Sequence, residues 1–91
     1  MKKFSVVGTA RFDADLLNIF DYIAADNPVK AVEFTSLIKK RLGGLSEFPQ
    51  QGADIGKYRK LIIENYVAHY KIDESKNRVI LCRIVHGAKI V

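Results

Sequence analysis

Apolar residues in the first part of the chain recur every three or four positions, which is the spacing of one helical face. Thr9 precedes this run and can cap the first turn with its hydroxyl group. Asp13 and Asp15 would lie near the positive end of the helix dipole. We therefore predict a helix over residues 10–25. Its recurring apolar positions are Phe12, Leu16, Ile19, Phe20 and Ile23.

Residues 26–28, Asp-Asn-Pro, end this helix and start a second one. Asn27 can act as the N-cap, and Pro28 at the first helical position gives up no intrahelical hydrogen bond. The short connection predicts two antiparallel helices, a helical hairpin. The apolar face of the second helix would contain Ala31, Phe34, Leu37, Ile38, Leu42 and Leu45.

The second half of the chain has the pattern of strands. Residues 48–56 are rich in turn formers and predict a loop that joins the helices to the strands. The predicted strands are residues 3–7, 58–63, 66–72 and 78–85. The last three have short links and must pair antiparallel. The order β-α-α-β-β-β predicts one α+β domain over residues 1–91, with an N-terminal strand and a helical hairpin packed on a mainly antiparallel sheet.

Charge is unevenly distributed along the 91 residues, whose formal net charge is +5. Residues 1–49 carry seven basic and six acidic side chains, whereas residues 50–91 carry eight basic and four acidic ones. Such an excess suggests an anionic partner, either nucleic acid or an acidic protein segment, although it is also common on solvated surfaces.

Several classes of site and location find no support in the residues. The single cysteine, Cys82, excludes a disulfide within the chain and a cysteine-based zinc cage. There is no glycine-rich phosphate loop, nucleophile elbow or paired Cys and His spacing. We expect no metal and no cofactor. No apolar stretch is long enough for a signal-peptide core or a membrane span, so we expect a cytoplasmic protein.

Six stretches together resemble the RelE/ParE superfamily of toxins from type II toxin-antitoxin systems of the plasmid-stabilisation type. They are the helix opening at 9–23, the second helix start at 28–34, an L-x-x-x-P-x-x-G hinge at 45–52, the segment Arg-Lys-Leu at 59–61, a strand at 66–72, and the ending RIVHGAK at 83–89. Each motif is weak alone, but their order and spacing cover nearly the whole chain. The His-Gly-Ala-Lys ending is similar to the ParE branch.

The resemblance implies a cognate antitoxin, encoded by the adjacent gene, that neutralises the protein in a hetero-oligomer. It also implies growth arrest by one of two mechanisms. Toxins of the ParE branch inhibit DNA gyrase, whereas those of the RelE branch cut messenger RNA on the ribosome.

RNA cleavage needs a group that activates the 2'-hydroxyl, cations beside the phosphate, and an acid for the leaving oxygen. If the chain is a nuclease, the candidates for these roles are Lys57, Arg59, Arg83, His86 and Lys89. The sequence departs from RelE-type nucleases at Val67, where they carry an arginine, and has no terminal tyrosine. We therefore favour gyrase inhibition without enzymatic activity. A ribosome-dependent ribonuclease and a degenerate, non-toxic partner-binding member remain alternatives.

The predicted footprint for the antitoxin or the target is the groove between helices and sheet, together with the basic strands. Its predicted contacts are Lys57, Arg59, Lys60, Arg78 and Arg83. Each of these could instead be an ordinary solvated strand residue. Likewise His86 could be a structural residue at a strand end, and His69 could simply pack or face water.

Overall fold

The computed structural model describes residues 3–87. In chain order its elements are β1 (Ser5–Gly8), α1 (Ala10–Asp26), α2 (Pro28–Gly43), β2 (Ala53–Asp54), β3 (Arg59–Ile63), β4 (Tyr66–Asp73) and β5 (Arg78–His86). Short 3-10 turns at Gly44–Ser46 and Pro49–Gln51 connect α2 to β2. The predicted α+β class, with a helical hairpin on a mainly antiparallel sheet, is confirmed.

Both helices begin where the sequence places their caps. The Thr9 hydroxyl accepts a hydrogen bond from the Phe12 amide at 3.1 Å. The Asn27 side chain accepts one from the Lys30 amide at 3.1 Å, and Pro28 occupies the first turn of α2. Each cap satisfies a backbone donor that has no partner within its own helix.

Within residues 3–87 the sheet has five strands, in the order β1-β5-β4-β3-β2, rather than the four predicted. The prediction that residues 48–56 are only a loop is wrong, because β2 pairs with β3 through Ala53↔Lys60 and Asp54↔Arg59. A two-residue strand is too short to show alternation, and it forms because the outer edge of β3 offers backbone partners.

β1 pairs in parallel with β5, in the register Val6↔Val79, and this pairing stops at Gly8↔Leu81. The intervening helices and strands provide the long connection that a parallel pair requires. Beyond Leu81, β1 therefore no longer covers the edge of β5, and α1 takes its place.

A β-bulge interrupts the pairing of β4 with β5. Tyr70 lies opposite Leu81 and His69 lies opposite Arg83, so Cys82 has no residue opposite it. Strict alternation from Val79 and Leu81 would place Arg83 toward the helices. The extra residue instead turns Ile84 toward them, where its side chain is 1% exposed, and reverses the face of Arg83.

The core lies between the helical hairpin and one face of the sheet. Ile38 and Leu45 pack there against fully buried strand residues. Burial of each large aliphatic side chain among them stabilises the fold by roughly 1.5–3 kcal/mol. The fully buried strand residues are Ile63, Ala68, Tyr70, Val79 and Ile84. We call the opposite side of the sheet, which faces away from the helices, the open face.

Candidate functional site

The pairing of the strands sorts the predicted basic residues between the two faces of the sheet. Arg59 lies opposite Tyr70, in the row of residues that faces the helices. Lys60 lies opposite His69, which in turn lies opposite Arg83, and this row belongs to the open face. Arg59 and Arg83 are thus two strands apart and on opposite faces.

Arg59 holds the loop that precedes its strand. Its Nη1 donates to the Gly52 carbonyl at 2.7 Å and to the Gln50 carbonyl at 3.3 Å. The buried Tyr70 hydroxyl binds the same loop, donating to the Pro49 carbonyl at 2.7 Å and accepting from the Gly52 amide at 2.8 Å. Arg59 therefore stabilises this loop, whether or not it also contacts a partner.

Arg83 forms a close ion pair with Asp15 of α1. The Arg83 Nε and Nη2 atoms donate to the two carboxylate oxygens at 2.8 and 3.2 Å, and the Ile84 amide donates to the same carboxylate at 3.2 Å. Thr9 adds a bond from its hydroxyl to the Cys82 carbonyl at 3.2 Å. Beyond Leu81, where β1 no longer pairs with β5, Thr9 and Asp15 therefore provide hydrogen-bond partners for the backbone of β5.

Electrostatics reinforce this ion pair. Burial alone would raise the pKa of Asp15, but the hydrogen bonds from Arg83 and the Ile84 amide outweigh that effect and lower it. In turn, the Asp15 carboxylate raises the pKa of Arg83. The sequence predicts only that Asp15 lies near the positive end of the helix dipole. Its pairing with Arg83 was not predicted, because no local pattern connects residues 68 positions apart.

His86 lies in an aromatic cluster at the end of β5. Its ring meets that of Tyr66 edge-on with the centroids 5.2 Å apart, and Tyr66 packs against Phe34 at 4.9 Å. Burial, and then the neighbouring Tyr22, raise the pKa of Tyr66. Tyr22 is 78% exposed, which leaves most of its ring available to a partner.

Two grooves meet at Tyr66. The α1–β5 groove has a volume of about 730 Å³ and is lined by Asp15, Asn18, Tyr22, Tyr66, Arg83 and His86, among others. The hairpin groove, of about 570 Å³, lies between the helices and the β3–β4 turn, with Lys30, Glu33, Phe34 and Leu37 along its wall. Of the predicted basic footprint, only Arg83 lines either groove.

His69 lies on the open face between two cations. Burial lowers its pKa most, and the charges of Arg83 and then Lys60 lower it further. The ring is therefore neutral at neutral pH, in a positive field. The sequence showed a strand histidine but not its neighbours, because these depend on strand register and on the bulge.

The other predicted basic residues lie apart from this row. Lys57 is exposed in the loop before β3, and Arg78, at the start of β5, pairs with Asp73 at 3.7 Å. Lys89 lies outside the described residues. The nuclease candidates within residues 3–87 are thus distributed over a loop, two sheet faces and a groove.

Residues 3–87 contain no group of three or more His, Cys, Asp or Glu side chains that could hold a metal ion. Burial raises the pKa of the Cys82 thiol, which favours its neutral form. Neither helix in this part of the chain is both long and apolar enough to cross a membrane.

Comparison with known proteins identifies both a family and a fold. A family model described as the ParE toxin of the type II toxin-antitoxin system, parDE, matches residues 6–91. Among curated proteins, none matches significantly.

The fold is similar to that in the chromosomal ParDE toxin-antitoxin system of P. aeruginosa, with a TM-score of 0.78 and 22% identity over 94% of this chain and 98% of the other. It is also similar to a chain of the RelBE2 toxin-antitoxin complex of Mycobacterium tuberculosis, with a TM-score of 0.68 and 19% identity over 92% and 98% of the two chains. A metal-bound toxin from Helicobacter pylori gives a TM-score of 0.55 at 17% identity, covering 97% and 99%. At these identities the structures show a shared fold.

Proposed function

Because this chain belongs to the ParE toxin family of type II toxin-antitoxin systems, we propose that it arrests growth by inhibiting DNA gyrase and that a cognate antitoxin neutralises it. In this proposal the toxin acts by binding its target and does not catalyse a reaction. Both partners would meet it in the cytoplasm.

The observation that carries the proposal is the separation of the candidate catalytic groups. Cleavage of RNA requires a base, a cation and an acid within reach of one phosphate. Arg59 faces the helices and binds loop carbonyls, Arg83 is bound to Asp15, and His86 packs edge-on against Tyr66. This distribution supports a binding surface better than it supports a nuclease site.

The two grooves support the antitoxin part of the proposal. The structural relatives from P. aeruginosa and M. tuberculosis are described as members of toxin-antitoxin systems. An antitoxin segment could lie along the α1–β5 and hairpin grooves, which share Tyr66, and its acidic side chains could approach Arg83 and Lys30. The predicted toxin-antitoxin hetero-oligomer would form through this surface.

A gyrase assay tests the mechanism. Purified toxin should inhibit supercoiling by gyrase at micromolar concentration, and toxin first mixed with the product of the adjacent gene should not. Uninhibited supercoiling at a large molar excess of toxin would refute the proposal.

Antitoxin binding is tested with two exposed side chains of α1. Tyr22, at 78% exposure, lines the α1–β5 groove, whereas Leu17, at 59% exposure, is not among the residues that line either groove. Tyr22→Ala should weaken binding of the adjacent-gene product at least about tenfold, as loss of an aromatic anchor does. Leu17→Ala should leave it unchanged, and equal effects of the two would contradict the proposed surface.

A ribosome-dependent ribonuclease is the second candidate, and the Lys60, His69 and Arg83 row favours it. A neutral imidazole could accept the proton of a ribose 2'-hydroxyl while the two neighbouring cations stabilise the charge on the phosphate. Primer extension on messenger RNA after induction separates the two mechanisms. Cuts within codons, abolished by His69→Gln, would establish the nuclease. Normal growth on induction without the antitoxin gene would instead identify a non-toxic member.

A further inference from the structure

The open face brings three basic side chains from different strands into one row. Lys60 of β3, His69 of β4 and Arg83 of β5 lie directly opposite one another in the ladder. Since neighbouring strands are about 4.8 Å apart, the row extends roughly 10 Å across the sheet. Without the bulge at Cys82, Arg83 would face the helices and the row would end at His69.

Few negative charges approach this row. Within residues 3–87, Asp15 is the only carboxylate that contacts it, and it binds Nε and Nη2 of Arg83 from the side of α1. Lys71, two residues after His69 on the same face, lies 5.6 Å from the centre of the Tyr58 ring. Burial is the largest cause of the lowered His69 pKa, and the charges of Arg83 and Lys60 lower it further. The electrostatic field at His69 is therefore positive.

The shape of the row selects among anions. One carboxylate could engage only one or two of three groups spread over about 10 Å, whereas a nucleic-acid backbone presents charges repeated along a line. Tyr58 is 39% exposed beside Lys71, so that its ring can also contact a base or sugar.

We propose that the Lys60, His69 and Arg83 row binds the phosphodiester backbone of nucleic acid. This inference goes beyond the proposed function, because contact with DNA does not require that gyrase be inhibited. If both are correct, the DNA held by gyrase is the ligand, and the toxin contacts enzyme and DNA together.

His69 itself reports occupancy of the site. In NMR titrations of the full-length protein, a DNA duplex of about twelve base pairs should raise the His69 pKa by about one unit, because a phosphate offsets the field of its cationic neighbours. Single-stranded RNA of equal length shows which nucleic acid is preferred. A response to poly-glutamate but to neither nucleic acid would overturn the proposal in favour of an acidic protein partner.

Salt dependence supplies a second, independent measurement. Lys60→Gln removes one exposed cation from the row. The control, Lys39→Gln, removes an exposed cation from α2, away from the row. With Lys60→Gln the slope of log K against log salt concentration should fall by about 0.9, the value for one lost phosphate contact. With Lys39→Gln it should not change. Equal slopes for the two variants would overturn the proposal, and neither result depends on gyrase.

Discussion

Replacement of Asp15 by alanine tests how α1 holds the uncovered edge of β5. The Asp15 carboxylate, only 12% exposed, accepts hydrogen bonds from the Ile84 amide and the Arg83 guanidinium. A hydrogen bond to a charged group contributes about 1.5 kcal/mol at the low end of the measured range, and its loss leaves the amide without this partner. Arg83 is 42% exposed, so solvent screens the ion pair and makes it the smaller of the two contributions.

Together these contributions predict that Asp15→Ala lowers the free energy of unfolding by about 2 kcal/mol, and hence Tm by about 8–16 °C for a domain of this size. Thermal and urea unfolding followed by circular dichroism would measure both quantities. Asp21, exposed on the same helix, provides the matched control, because Asp21→Ala should change stability by less than about 0.5 kcal/mol.

The effect should also depend on pH. The folded-state pKa of Asp15 lies below its ordinary value of 3.8, so its stabilisation is complete above that pH and is lost as the pH falls through the lowered pKa. The stability difference between wild type and Asp15→Asn should therefore shrink in acid. The role assigned to the Asp15 carboxylate would be refuted if the stability difference between wild type and Asp15→Asn stayed constant as the pH fell well below 3.8. It would also be refuted if Asp21→Ala lowered the free energy of unfolding as much as Asp15→Ala.

Two other substitutions test contacts that shape the framework of the site. Tyr70→Phe leaves the Gly52 amide and the Pro49 carbonyl without their buried partner, and should cost about 2 kcal/mol in urea unfolding; a loss no larger than that in the partly exposed control Tyr58→Phe would contradict this. Asn27→Ala removes the N-cap of α2 and should cost about 1 kcal/mol, which thermal unfolding would detect, whereas an unchanged Tm would show that the cap contributes nothing.

Features within a few residues of one another could be predicted from the sequence. The caps at Thr9 and Asn27 and the apolar periodicity placed α1 within one residue of its observed ends and the start of α2 at Pro28. Leu45, expected on the apolar face of α2, lies instead in the 3-10 turn that follows Gly43. The short link between the predicted strands 58–63 and 66–72 was also correct, and within it Glu64 adopts a φ of 56°. Propensity and capping act locally, so the residues involved are visible together in the chain.

The arrangement of the candidate site, in contrast, could not be predicted from the sequence. The sequence predicts that Arg59, Lys60 and Arg83 are basic strand residues. It does not predict that Arg59 binds loop carbonyls, or that Lys60 and Arg83 share the open face. It also gives no sign of β2, because two residues cannot show a period of two.

The amino-acid pattern by itself determined the α+β class, the helical hairpin and the concentration of basic residues in the second half, since each follows from local spacing or composition. Only the tertiary structure decided the pairing of β1 with β5, the contact of Asp15 with Arg83, and the face on which Arg83 lies. The physical reason is the bulge at Cys82: one extra residue reverses the side-chain alternation of a strand, and whether it is present depends on long-range pairing with His69 and Tyr70.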